Sequence, residues 1–187
     1  MGINPSHNTT NEFYPVENIT FNEAKEFCNI LNRDYSRLIP YGYKFDLPTE
    51  AQWEYARRAD TTTALNNGKN LTSETADCPN LAEVAWYKNN SGNTTHQVGL
   101  KKPNAWGLYD MHGNVLEFCL DKRGDWKIDY PPDDVVDPLS TTGHEQIIRG
   151  GSYLSETKRN RSAYRDGKTP TKREFFAGLR VVLIPIE

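Results

Sequence analysis

Two stretches of the chain repeat apolar residues at the spacing of an amphipathic helix. The first is "TFNEAKEFCNILN", residues 20–32, in which Thr20 and Glu23 make a capping box at the start. Its apolar positions share one helical face and are Ala24, Phe27, Cys28 and Leu31. The pattern predicts a helix over these residues and places Cys28 in the core.

The second helical stretch is "PTEAQWEYARRA", which begins at Pro48. Thr49 and Gln52 repeat the capping pattern, and a proline beside the cap is typical of a helix start. We expect Trp53 and Ala56 to face the protein interior.

The later part of the chain carries short β patterns between turn-rich segments. The patterns are rich in β-branched and apolar residues, and they are "EVAWY" (83–87), "QIIRGGSY" (146–153) and "AGLRVVLIPI" (177–186). Residues 60–80 and 122–143 show neither the helical nor the strand periodicity of apolar residues, and they are predicted to be loops. Two early helices and a few late strands indicate an α+β domain with much irregular structure.

The composition fits one domain with a small core rich in aromatic residues. The chain has 187 residues, of which 36% are hydrophobic and 11% aromatic. No apolar stretch approaches the roughly 20 residues that span a membrane. The N-terminus lacks the layout of a secretory signal. The sequence does not identify the cellular compartment. A cell-surface or secreted location is one alternative if Met1 is not the true start.

The net charge of -3 is unevenly distributed along the chain. Residues 149–180 hold nine Lys or Arg against three acids, which makes this segment +6. Such a basic face attracts an anionic partner, but internal pairing with the acidic remainder is the favoured interpretation. Nucleic acid binding is therefore not expected.

The cysteines and histidines predict no catalytic or metal centre. Cys28 and Cys119 lie among apolar residues and Cys78 has no basic neighbour, so buried free thiols are favoured. The four histidines lack the spacing of metal ligands. The sequence contains no Gly-x-Ser-x-Gly elbow and no glycine-rich phosphate loop. These features favour a binding domain over an enzyme.

The stretch "GLYDMHGNVLEF", residues 107–118, carries oxygen donors around a glycine. Asp110, Asn114 and Glu117 are the ligand types that calcium prefers, although the alternation of an EF-hand is missing. On spacing alone, a capped turn before a strand is favoured.

Four segments occur together in the order of a known family. They are "PVENITFNEAKEFC", "LPTEAQWEYARRA", "KKPNAWGLYDMHGNVLEF" and "IIRGGSY...RSAYRD...AGLRVV". From Met1 to Val182 the chain resembles the formylglycine-generating enzyme, or sulfatase-modifying factor, family. The resemblance implies a C-type-lectin-like fold in one domain over residues 1–187, with two helices, small antiparallel sheets and long loops. The family's opening strand and helix have no counterpart in the sequence.

The resemblance also implies what the enzymes need for catalysis. They oxidise a cysteine of a sulfatase with copper held by two cysteines after the "GGS-aromatic" strand. Those positions correspond here to Ser155 and Asn160, and neither supplies the thiolate that Cu(I) selects. No copper and no oxidase activity are therefore expected.

A structural calcium ion is implied by the same resemblance. It would be held by the Glu117 carboxylate and mostly by backbone oxygens of Gly113, Asn114 and Val115.

One non-catalytic branch of the family comprises the variable proteins of diversity-generating retroelements. Its members bind ligands through a hypervariable C-terminal stretch that alternates with scaffold residues. The corresponding ligand-binding positions lie in residues 153–176, and they are Tyr153, Ser155, Glu156, Lys158, Asn160, Tyr164, Asp166, Lys168, Lys172, Glu174 and Phe175. We expect a non-catalytic domain that binds a protein or other surface ligand. The alternative is an oxidoreductase-type enzyme of this family with different metal chemistry.

Overall fold

The computed structural model describes residues 4–124 and 135–186. Both predicted helices form, as α1 (Phe21–Asp34) and α2 (Glu50–Arg58). In each, the threonine before the helix and the residue three positions later exchange side-chain-to-backbone hydrogen bonds, as a capping box requires. A third helix, α3 (Pro79–Ala82), is a single turn at the end of the predicted loop 60–80.

The strands are short and lie mostly in the second half of the chain. In order they are β1 (Tyr43–Asp46), β2 (Ala85–Trp86), β3 (His112–Gly113), β4 (Leu116–Arg123), β5 (Glu145–Arg149), β6 (Asp166–Lys168), β7 (Ala177–Gly178) and β8 (Val182–Pro185). The predicted strand at 146–153 ends at Arg149, and the predicted strand at 177–186 divides into β7 and β8. The strand pattern did not predict β1, β3, β4 or β6, although the favoured interpretation of residues 107–118 was a turn before a strand.

The strands form one sheet of four and two sheets of two. The four-stranded sheet has the order β6-β5-β4-β7, β1 pairs with β8, and β2 pairs with β3. The α+β class is confirmed. The expected antiparallel pairing is found between β1 and β8, β4 and β5, and β5 and β6, whereas β2–β3 and β4–β7 pair in parallel.

The four-stranded sheet is covered on both faces, which fixes the geometry of the site. Phe118 packs with α1 residues such as Cys28, whereas the neighbouring Cys119 packs with Trp53 of α2. Because successive side chains of a strand point to opposite faces, β4 carries one hydrophobic cluster on each side. Because both faces of the four-stranded sheet are buried, polar sites lie at the ends of β4 and β5.

No helix in the described ranges is long and apolar enough to cross a membrane. Of the loop predicted at 122–143, residues 122 and 123 belong to β4 instead. Residues 125–134 of that loop lie outside the described residues.

Candidate ligand-binding site

A pocket of about 280 Å³ lies where residues 152–168 pass beside Leu116 of β4. Five of the predicted ligand-binding residues line it, and these are Ser155, Glu156, Tyr164, Asp166 and Lys168. The predicted segment thus contributes most of the lining of this pocket, and the ligand-binding role of these residues stays a prediction.

The turn after β5 brings the pocket residues together. Gly150 and Gly151 have φ angles of 103° and 78°, which side chains rarely adopt. A Cβ on Gly151 would also overlap the amide of Asn160. Both glycines are thus needed to reverse the chain so that the 3-10 helix Thr157–Asn160 packs beneath it.

The β6 strand supplies the charged wall of the pocket. Asp166 pairs with Ile148 and Lys168 with Gln146 of β5, so the two side chains share one face of β6. Lys168 Nζ lies 3.7 Å from Asp166 Oδ2 and 5.7 Å from the Phe176 ring centroid. The Lys168 charge is therefore partly satisfied within the protein.

Hydroxyl groups provide the neutral polar part of the pocket. Ser155 Oγ accepts the Ser152 N–H at 2.9 Å and lies 3.1 Å from Ser152 Oγ. Burial raises the pKa of Tyr164, and the nearby Asp166 carboxylate raises it further. Tyr164 therefore keeps its proton near neutral pH and can donate a hydrogen bond.

Two cations at the pocket were missed by the sequence reasoning. Arg159 and Lys88 both line the pocket and are exposed. Within residues 4–124 and 135–186, neither side chain has a hydrogen-bond or ion-pair partner. Arg159 sits among the predicted positions and its charge was a usable signal, but Lys88 is distant in the chain and only the fold brings it near.

Three of the predicted binding residues are buried in the packing rather than displayed, which corrects the prediction for them. Asn160 is fully buried, its amide donates to the Glu156 carbonyl at 2.9 Å, and it does not line the pocket. Glu174 is 4% exposed, and its N–H donates to the Ile19 carbonyl. Tyr153 is also buried, with its N–H donating to the Asn114 carbonyl.

The other three predicted positions reach solvent outside the pocket. They are Lys158, Lys172 and Phe175. Lys158 lies 3.7 Å from Glu156, and Lys172 lies 3.2 Å from Glu174.

The basic segment 149–180 is largely paired inside the protein, as favoured from the sequence. Its internal pairs link Arg149 to Glu50 and Glu54, Arg165 to Glu50, Arg173 to Glu23, and Arg180 to Glu117. These arginines clamp the C-terminal segment to α1, α2 and β4. They are not free to attract an anionic polymer.

A buried polar cluster lies under the 3-10 helix Thr157–Asn160. The Asn160 carbonyl contacts both the Arg57 guanidinium and His112 Nδ1, the latter at 2.7 Å. His112 Nε2 accepts the Asn66 N–H at 3.0 Å. Burial lowers the pKa of His112 far below its usual value, and the Arg57 charge lowers it further, so the imidazole is neutral.

The residues expected to hold calcium have other partners. Glu117 Oε2 accepts Trp53 Nε1–H at 2.7 Å and Arg180 Nε–H at 2.9 Å, while Oε1 accepts from Arg180 at 2.8 Å. The Asn114 side chain accepts the His96 N–H and donates to the His96 carbonyl, each at 3.0 Å. Gly113 pairs with Trp86 in the β2–β3 ladder.

Glu117 is the only carboxylate in the expected set, which also includes Val115, and both its oxygens are already hydrogen-bonded, so it is not available to a calcium ion in this arrangement. Burial alone would lower the pKa of Arg180, but the Glu117 charge and hydrogen bonds raise it. In the described residues, no group of three or more His, Cys, Asp or Glu is placed to hold a metal ion.

The three cysteines are buried and free, as predicted. Burial raises the pKa of Cys28 to about 11 and raises that of Cys119 well above its usual value. Burial also acts to raise the pKa of Cys78, but hydrogen bonds from Thr72 outweigh it and lower the value. None of the three lines the pocket.

The sequence matches a known family over nearly its whole length. The profile of the sulfatase-modifying factor enzyme 1-like domain covers residues 3–184. The formylglycine-generating enzyme of Thermomonospora curvata is 29% identical over 183 residues, 92% of this chain and 56% of that protein. The mouse (Mus musculus) formylglycine-generating enzyme is 28% identical over 176 residues, 89% of this chain and 43% of that protein. The chain thus spans about half the length of these relatives.

Solved structures agree with this assignment. "Treponema denticola variable protein 1" superposes with a TM-score of 0.80 at 30% identity and covers 100% of this chain and 79% of that chain. PvdO from Pseudomonas aeruginosa superposes with a TM-score of 0.75 at 25% identity and covers 96% of this chain and 65% of that one. The chain belongs to the formylglycine-generating enzyme, or sulfatase-modifying factor, family and is similar within it to a variable protein.

Proposed function

We propose that this chain is a non-catalytic binding domain whose ligand sits in the pocket formed by residues 152–168 and Phe176. The observation that carries the proposal is that Arg159 and Lys88, which have no partner among the described residues, converge on a pocket that also has apolar side chains and several hydroxyl groups in its lining. Such a mixture of apolar and orienting polar groups is typical of ligand sites.

The charges of the pocket indicate the kind of ligand. Glu156 and Asp166 each have a lysine 3.7 Å away, so the acids of the pocket are balanced from within. The remaining charge is that of Arg159 and Lys88. A guanidinium without a partner favours a carboxylate, which it can bind through two parallel hydrogen bonds. We infer that the ligand is a protein or peptide that presents an acidic side chain.

The donor set of the pocket argues against the oxidase reaction of the family. Catalytic copper would need thiolates, but the pocket presents Ser155 at one of the two positions, and Asn160 at the other is buried outside it. No cysteine or histidine is among the lining residues. Neither Cu(I) nor an iron held by imidazoles finds suitable ligands there.

Seven of the eleven predicted positions are at least partly exposed, which supports a diversified binding surface of the retroelement type. Gly150, Gly151 and Ser152 are buried and hold the turn, whereas Glu156 and Lys158 are partly exposed and pair with each other 3.7 Å apart. Substitutions at exposed positions of this kind leave the scaffold intact. The similarity to the variable protein of Treponema denticola is the second support.

The test is selection of peptides from a random displayed library against the purified chain. We expect the selected peptides to share an acidic residue. Their affinity for Arg159→Ala should fall by at least roughly tenfold, the size of one lost charge-assisted bond of about 1.5–3 kcal/mol. Arg161→Ala is the matched control, because Arg161 is exposed, lies two positions away and does not line the pocket.

Two results would contradict the proposal. One is a set of peptides that bind Arg159→Ala and Tyr164→Ala as tightly as the unaltered chain. The other is stoichiometric iron or copper in the purified protein, which would favour the oxidoreductase alternative.

A further inference from the structure

A second, larger cavity lies on the other side of β4 from the pocket described above. Its volume is about 450 Å³, within the range of small-molecule sites. Leu116 lines the first pocket, while its neighbours Val115 and Glu117 line this cavity. Because successive side chains of a strand point to opposite faces, the two spaces are separate.

The cavity has a buried floor and an apolar rim. Val115 and Glu117 of the floor are 6% and 5% exposed. The rim is formed by Val16, Val98 and Tyr109, which are 40%, 48% and 42% exposed. Exposed apolar side chains gathered around a concavity mark a site for an apolar body.

The charges that line the cavity do not cancel. Glu117 and Arg180 neutralise each other, with their closest atoms 2.8 Å apart. Asp110 also lines the cavity, and no Lys or Arg of the described chain lies within ion-pair distance of it. Asp110 Oδ2 accepts the Gly99 N–H at 2.8 Å, whereas Oδ1 is buried without a donor in the described residues. The Asp110 carboxylate therefore has no ion-pair partner among the described residues and is available to a cationic ligand.

Burial also acts on the Asp110 carboxylate. It raises the pKa of Asp110, although the Gly99 N–H and the Arg180 charge act in the opposite direction. The φ of 56° lies in the left-handed region, which aspartate and asparagine adopt more readily than most residues. A cation bound beside this partly buried carboxylate would stabilise its charged form.

A bare metal ion is a poor match for this cavity. Glu117 is occupied by Arg180, so Asp110 is the one lining carboxylate without a cation in the described part of the chain. A hard divalent cation favours several negative charges among its six or more oxygen ligands, and Asp110 is the one unpaired carboxylate that this cavity offers among the described residues. An organic ammonium needs only one carboxylate and gains from the apolar walls.

We propose that this cavity binds a small organic cation, a primary ammonium group on a compact apolar body, with Asp110 as the counter-ion. The ammonium lies against the Asp110 carboxylate, and the apolar body packs between Val16, Val98 and Leu179. The site is independent of the proposed ligand pocket on the other face of β4.

The test uses benzylamine, which is protonated at neutral pH, and its neutral isostere benzyl alcohol. Both are titrated into the labelled chain, and backbone amide shifts are followed at Gly99, whose N–H contacts Asp110. We expect benzylamine to bind roughly tenfold more tightly than benzyl alcohol, with shifts at Gly99 and Asn114 and none at Tyr164 in the first pocket.

Asp110→Asn should bring the affinity for benzylamine down to that for benzyl alcohol. Asparagine tolerates the left-handed conformation and still accepts the Gly99 N–H, so this variant keeps the fold. Asp60→Asn is the matched control, because Asp60 is an exposed aspartate with a φ of 70° outside the cavity.

Several outcomes would overturn the proposal. They are equal binding of amine and alcohol, an amine preference that survives in Asp110→Asn, and no shift at Gly99 up to about 10 mM benzylamine. Calcium chloride that shifts the same resonances would instead make the cavity a metal site. A loss of peptide binding in the first pocket has no bearing on any of these results.

Discussion

Replacing Arg180 by methionine should destabilise the fold through the charge that it leaves behind on Glu117. Methionine keeps most of the apolar stem and removes the guanidinium, which lies 2.8–2.9 Å from the Glu117 carboxylate. The Glu117 side chain is only 6% exposed, so in the variant its negative charge would be buried without the Arg180 counter-ion.

The magnitude follows from the burial of the two partners. Removing one member of a buried ion pair costs about 3–5 kcal/mol. The Arg180 side chain is 29% exposed, which places the expected loss at the lower end, about 3 kcal/mol, since water screens part of the interaction. For a chain of this length, that loss corresponds to a fall of roughly 6–12 °C in Tm.

The assay is urea unfolding followed by circular dichroism, with a second variant that separates charge from shape. Arg180→Met together with Glu117→Gln removes both charges and keeps an acceptor for Trp53 Nε1–H, so it should recover most of the lost stability. Arg33→Met is the control, because its ion pair with Asp34 is exposed, and no resolvable change is expected. A loss below about 1 kcal/mol in Arg180→Met would refute the reasoning.

The same ion pair predicts the response to calcium. Since Arg180 already neutralises Glu117, adding calcium or a chelator should leave the Tm of the unaltered chain unchanged. A rise in Tm that saturates with calcium concentration would mean that calcium displaces the Arg180 guanidinium from Glu117. That result would support the calcium site expected from the family resemblance.

Three further predictions test the fold around the site. Thr49→Ala removes the side-chain cap of α2 and should cost about 1 kcal/mol in urea unfolding. Gly113→Ala should reduce the yield of folded protein, because its φ is 73° and a Cβ would overlap the Trp86 carbonyl. The folded-state pKa of His112 lies below the ordinary 6.5, so the stability that His112 contributes is complete above pH 6.5 and is lost as the pH falls towards the folded-state pKa. His112→Gln should flatten this part of the Tm profile, and an unchanged slope would contradict the assignment of a neutral imidazole.

The elements that the sequence predicted correctly are those with purely local signals. Capping boxes at Thr20 and Thr49 depend on residues three positions apart, and both helices start there. By contrast, β1 and β6 are three or four residues long and are defined by partners far along the chain, β8 and β5. Strands of that kind have no local period to recognise, because pairing and not propensity determines them.

The candidate site shows the same division. The family resemblance implied alternating scaffold and binding positions in residues 153–176, among them Glu156, Tyr164, Asp166 and Lys168, which all line the pocket. It did not identify Lys88, which reaches the pocket because its N–H donates to the Ser155 carbonyl at 3.2 Å. Contacts between distant segments are set by the packed fold, so no spacing rule within one segment could reveal them.

The replacement of the second thiolate position by asparagine changes what that position can do. Asn160 uses its amide to bond the Glu156 carbonyl, and its own carbonyl holds Arg57 and His112 beneath the turn. The side chain is buried under Gly151, where it supports the fold. Arg159, one residue earlier, lines the pocket and has no ion-pair partner among the described residues. Under the proposed function, Asn160 is a scaffold residue and Arg159 contacts the ligand, so Arg159→Ala should weaken binding while Asn160→Ala should weaken folding.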